Sequence, residues 1–187
     1  MREYRRDNFL VPATILGILL LVAEAYAEMD GSVQAKIARA MQAAPQSISQ
    51  NATILDPDGT VLRAGSNNWH CFPNSGPGSD HPMCNDAVWM RFADAYGKKE
   101  NFKTDRIGIS YMLAGDDNVN NADPFDKQQD PGETWVQEEP HLMILVPDPK
   151  MLDGISHDPE NGGPYVMWSG TPYAHIMVPV GPRKPMK

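Results

Sequence analysis

Three of the five histidines in this chain carry a methionine two residues on: His81 with Met83, His141 with Met143, and His175 with Met177. An imidazole nitrogen and a thioether sulfur are both neutral ligands, and together they suit a soft transition metal such as copper in its Cu(I) state. The spacing has meaning on a β-strand, where residues i and i+2 leave the same face. If His141–Met143 and His175–Met177 sit on neighbouring strands, four ligands can converge on one ion. The same pattern also serves a plain core. Met fills gaps in cores, and a buried His can be satisfied by a hydrogen-bond network. Acid–base work by His141 or His175, beside Tyr165, Tyr173 or Asp153, is the enzymatic alternative.

A second cluster joins His70, His81 and Met83 to the two cysteines, Cys71 and Cys84. Reduced, the Cys2His2 inventory would suit zinc. Oxidised, Cys71 and Cys84 form one disulfide, and a His/Met surface site at His70, His81 and Met83 remains open. A third candidate is the acidic loop, where Asp116, Asp117, Asn118, Asn120 and Asp123 offer oxygen ligands for calcium. The EF-hand register fails there, with Asn121 in place of the glycine and Lys127 in place of the bidentate glutamate. A loose calcium site is what remains. No nucleophile elbow, phosphate-binding glycine loop or zinc-protease helix motif is present, so no catalytic centre is recognisable.

These side chains need elements to hold them. Ser32 to Ala44 carries an apolar stripe at helical spacing and is stopped by Pro45. A second helix runs from a cap at Asn85 or Asp86 to about Tyr96, ended by Gly97. Residues 52–55 and 60–63 flank Asp56-Pro-Asp-Gly59, which is hairpin turn chemistry. Further strands are expected at 107–113, 141–146, 165–168 and 175–178, the last two joined by Ser169-Gly-Thr-Pro172. The 141–146 run is apolar on both faces, as a central strand would be. Residues 65–83 and 115–134 read as loops. The expected fold is α+β and loop-rich: a mainly antiparallel sheet with two packed helices and one disulfide.

The compartment follows from the first 27 residues. A start containing Arg2, Arg5 and Arg6, an apolar stretch from Phe9 to Ala23 and Ala25-Tyr-Ala27 have the layout of a secretory signal peptide. The apolar stretch is shorter than the ~18–20 residues a spanning helix needs. The expected organisation is a signal peptide, residues 1–27, and one domain, residues 28–187, periplasmic or secreted, with no stable membrane span after cleavage. The formal net charge of −8 argues against nucleic acid as a partner. A protein or a small ligand is left as the partner class.

Lys36-Ile-Ala-Arg-Ala-Met41, Trp69 to Cys71, Pro82-Met-Cys84, Pro140-His-Leu-Met143, Gly163-Pro-Tyr-Val-Met-Trp168 and Gly170 to Pro179 stand in an order that resembles an uncharacterised family of exported bacterial proteins. The resemblance implies export and one intact domain, and it implies no activity. The functional expectation is a small exported binding protein that takes copper or another transition metal through its His-x-Met strands. The alternatives are an envelope interaction protein without a ligand, or a hydrolase-like enzyme using a His base.

Overall fold

A computed structural model describes residues 32–182. The expected signal peptide lies outside the described residues. Residues 32–35 belong to an N-terminal unit, 1–35, and the rest of the described chain to a second unit. The second unit is built on an eight-stranded sheet.

Helix α1 covers 32–40 and passes into a 3₁₀ turn at Met41–Ala43. Pro45 starts the short helix α2, Gln46–Ser49. Strands β1 (Thr53–Leu55) and β2 (Val61–Arg63) form the expected antiparallel hairpin, with Gly59 at φ 88° in the turn. Strands β3 (His70–Phe72) and β4 (Met83–Asn85) pair antiparallel next to it, and β3 runs parallel to β1. Helix α3, Ala87–Gly97, leads to β5 (Gly108–Met112). A two-residue strand in the acidic loop, β6 (Val119–Asn120), pairs with β7 (Trp135–Val136) just after it. Then come β8 (His141–Leu145), a 3₁₀ turn at Pro149–Leu152, β9 (Tyr165–Met167) and β10 (His175–Pro179). The strand order is β2-β1-β3-β4-β5-β8-β10-β9, and every pairing but β1–β3 is antiparallel. The fold is therefore the expected α+β class.

Each face of the sheet has its own core. On one, Ala40, Ala43, Ala44 and Ala52 close over Ile54, Cys71 and Cys84, with Ile37, Met41 and Ile48 packed alongside. Small residues let the backbone approach the sheet closely at this point. Gly65 serves the same end: a Cβ there would lie 2.3 Å from the Ala52 backbone. Cys71 and Cys84 are direct cross-strand partners and are joined by a disulfide. Closing a loop of this size contributes about 3 kcal/mol in the chain-entropy model.

The other core lies under α3. Val88, Trp89 and Phe92 come from one side of the helix and pack on Met112, Met143, Leu145, Tyr165, Met167 and Met177. Asp86 fixes the helix start by accepting from the backbone N–H groups of Val88 (2.9 Å) and Trp89 (2.7 Å). Its other carboxylate oxygen accepts from the Ile109 N–H at 2.8 Å, so one side chain ties α3 to β5. Gly108 lets the helix sit low, since a Cβ there would meet Val88 Cγ1 at 2.7 Å. Among the described residues, no helix is long and apolar enough to cross a membrane. The disulfide is compatible with an oxidising compartment.

A candidate His/Met site on the buried sheet face

The strands that carry His141–Met143 and His175–Met177 are neighbours, as the four-ligand reading requires. Their register decides what meets what. Met143 stands directly opposite Met177, and His141 stands opposite Pro179. His175 is four residues from Pro179, so at about 3.3 Å per residue the two histidine Cα atoms are about 13 Å apart along the strand direction. All four side chains leave the same face and are buried. The methionines are brought together, and the histidines stand at opposite ends of the pair.

Each histidine has a different methionine beside it. Met112 of β5 is the direct partner of His141, and Met167 of β9 is the direct partner of His175. Both are buried. Sequence spacing singles out neither, because the contacts arise from strand pairing and not from the i, i+2 relation. Tyr165, opposite Met177, and Ser110, opposite Met143, extend the same row. Ser110 donates its hydroxyl hydrogen to Asn85 Oδ1.

His175 is the best-defined ligand candidate. Its Nδ1 lies 2.9 Å from the Tyr173 carbonyl oxygen, which can only accept, so Nδ1 carries the proton. Burial pushes the imidazolium down to about 4, the Tyr173 hydrogen bond works the other way, and His141 adds a like-charge contribution that lowers it further. The ring is neutral at physiological pH, and Nε2 presents a lone pair. That atom is buried and has no hydrogen-bond partner among the described residues. A buried acceptor without a partner costs about 1–3 kcal/mol, which calls for a reason. His141 uses the same device: its Nδ1 donates to the Glu139 carbonyl at 2.7 Å. A histidine whose one ring nitrogen is held by a backbone carbonyl has its other nitrogen oriented for a metal.

Aromatic rings wall the site. The His175 ring is 5.0 Å from Trp168, 5.5 Å from Trp89 and 6.2 Å from Phe92, each nearly perpendicular to it. Trp168 holds its place in the left-handed region at φ 55°, where a bulky residue is a strained exception. Two hydrogen bonds keep it there: its backbone N–H donates to the Asn121 carbonyl and its Nε1–H to the Asn120 carbonyl, both at 2.9 Å. Tyr173 spends its hydroxyl on the Glu100 carbonyl at 2.9 Å, and Asp153 is exposed at the end of a 3₁₀ turn. Neither arrangement supplies His175 with an acid–base partner.

The other sequence candidates fall elsewhere. Cys71 and Cys84 are oxidised, so they supply no thiolate to zinc. His70 pairs with Asn85 across the β3–β4 ladder and Met83 pairs with Phe72. His81 leans on the loop, its Nδ1 3.4 Å from the Ala114 carbonyl and its Nε2 3.6 Å from Asp117. In the acidic loop, the oxygens fold the chain. Asp116 accepts from the Asp117 N–H, Asn120 Oδ1 from the Ala122 and Asp123 N–H groups, and Asp123 from the Phe125 N–H. Asn118 donates to Gln129. Among the described residues, no group of three or more His, Cys, Asp and Glu side chains is placed to hold a metal ion.

The chain matches no family model, no curated protein and no solved structure. The class it can be given is therefore structural: an α+β domain with a mostly antiparallel eight-stranded sheet, a cross-strand disulfide and buried His and Met side chains on the sheet face under α3.

Proposed function

We propose that this protein is a small exported binding protein that holds a copper ion on the face of its sheet that lies under α3. The observation that carries the reading is His175 Nε2. It is a buried lone pair without a hydrogen-bond partner among the described residues, on a ring fixed by a backbone carbonyl. It shares its sheet face with Met177 and with Met143, the residue opposite Met177. Imidazole and thioether together favour a soft ion. Export by the N-terminal segment, read from sequence, would put such a protein where it meets copper outside the cytoplasm.

The test is an anaerobic Cu(I) titration against a chromophoric competitor, followed also by tryptophan fluorescence because Trp89 and Trp168 stand beside the His175 ring. Wild type should bind Cu(I) and lose fluorescence. A Met143→Leu, Met177→Leu double variant keeps core volume and should fold. Its affinity for Cu(I) should fall steeply. Equal affinity in the double variant and wild type, or no binding by wild type, refutes the function.

A further inference from the structure

We infer that the ion at His175 is monovalent and that Met167 is one of its ligands, with His141 outside the coordination sphere. The inference rests on the function proposed above and specifies its ligands and its ion. Met167 is the direct cross-strand partner of His175, and such partners have Cβ atoms about 5 Å apart. Met177 is two residues along on the same strand face, and Met143 lies across from Met177. On this face His175 has Met167 directly across on β9 and Met177 two residues along its own strand, while Met143 lies diagonal to it on β8, where the register sets Leu145 opposite His175; all three methionines are buried. His141 is displaced by four residues of register and belongs beside Met112 instead.

Charge decides the oxidation state. One neutral imidazole and three thioethers bring no negative charge. The rings packed on His175 are Trp89, Phe92 and Trp168, which are also uncharged. The electrostatic cost of burying an ion in low dielectric grows with the square of its charge. A divalent ion would keep its whole charge at this site, whereas a monovalent soft cation costs about a quarter as much on the same square law. Thioether sulfur reinforces the choice, because it prefers Cu(I) to Cu(II) or Zn(II). Ag(I) has the same charge and a similar softness, and it does not oxidise, so it is the practical probe.

The experiment labels wild-type protein with ¹³C at the methionine methyl groups and titrates Ag(I). The shift pattern itself is read on wild-type protein, and the variants are checked for folding by circular dichroism. Three methyl signals, assigned by single Met→Leu variants to Met143, Met167 and Met177, should shift together at one equivalent, while Met83, Met112 and Met151 hold still. Met167→Leu should weaken Ag(I) binding by about tenfold or more, at least the loss seen when an outer-shell partner is removed. His141→Gln should change it by less than about threefold, since it removes no ligand. Zn(II) in excess should not displace Ag(I). Shifts at Met143 and Met177 without Met167 overturn the ligand assignment and leave copper binding standing. A tenfold loss in His141→Gln with the fold intact by circular dichroism also overturns it. Displacement by Zn(II) overturns monovalent selection. No Ag(I) or Cu(I) binding removes the proposed function itself.

Discussion

Asp86 is the most economical place to test the physical account of this fold. One carboxylate accepts three backbone N–H groups: Val88 at 2.9 Å, Trp89 at 2.7 Å and Ile109 at 2.8 Å. The first two cap α3, and losing an N-cap aspartate costs about 1 kcal/mol. The third serves a β5 amide beneath the helix, and stranding such a donor costs about 1–3 kcal/mol. Asp86→Ala should therefore destabilise the domain by about 3 kcal/mol, a large share of the 5–15 kcal/mol typical of a folded domain. Asp86→Asn keeps the capping oxygen but turns an amide N–H toward the Ile109 N–H, so its cost should be intermediate, about 1–2 kcal/mol. Urea unfolding followed by tryptophan fluorescence measures both, with an unchanged m-value showing that only stability has moved. Hydrogen exchange adds a local readout, since the α3 amides should lose protection first. A loss below about 1 kcal/mol in Asp86→Ala would refute the claim that this side chain locks the helix to the sheet.

Two further outcomes follow from groups with shifted titration and from close packing. His175 is lowered to about 4 by burial, and Asp116 is raised to about 6, also mainly by burial. For His175 the native state binds fewer protons than the unfolded chain, so its stability is whole above about pH 6.5 and falls by up to about 3 kcal/mol as pH drops through 4. For Asp116 the sign is reversed: its contribution is whole below its ordinary value of 3.8 and is lost as pH rises through about 6. The two oppose each other between pH 4 and 6, so Asp116→Asn should turn a shallow stability profile into one that rises steadily with pH in that window, read from urea midpoints at each pH; an unchanged profile contradicts it. Gly108→Ala should cost about 1–3 kcal/mol by overpacking Val88, and the cost should shrink in a Val88→Ala background, a coupling that a double-mutant cycle measures.

Much of the architecture was legible in the chain because its signals are local. The stripe before Pro45, the cap at Asp86 and the turn at Asp56-Pro-Asp-Gly59 each fix backbone geometry within a few residues. The central strand announced itself by its apolar run and does lie between β5 and β10. Strand β3 and the first residue of β4 lie within residues 65–83, which read as loop, and the rest of β4 carries no strand signal. The two strands are three residues each, flanked by Gly, Pro and Ser, and too short for alternation to register. What holds them is long-range: the disulfide between Cys71 and Cys84, the pairing of β3 with β1, and the alanine-rich layer above them. The pairing of β6 with β7 is invisible in the sequence for the same reason, since two-residue strands carry no period.

The candidate site shows how local and long-range information divide. In the His-x-Met motifs of β8 and β10 the histidine is the first residue of its strand and bonds back to the carbonyl two residues before it, Glu139 or Tyr173. That much is a property of each short segment. The strands are antiparallel, so two first residues must lie at opposite ends of the pair, while the third residues, Met143 and Met177, meet at its centre. Repeating one motif on antiparallel neighbours therefore gathers the thioethers and separates the imidazoles. Each histidine then takes its methionine neighbour from another strand: Met112 from β5 for His141, and Met167 from β9 for His175. A ligand set drawn from spacing alone chooses two histidines and two methionines. Register instead sets Met167 beside His175 and moves His141 away, which is why the set proposed above has one histidine and three methionines.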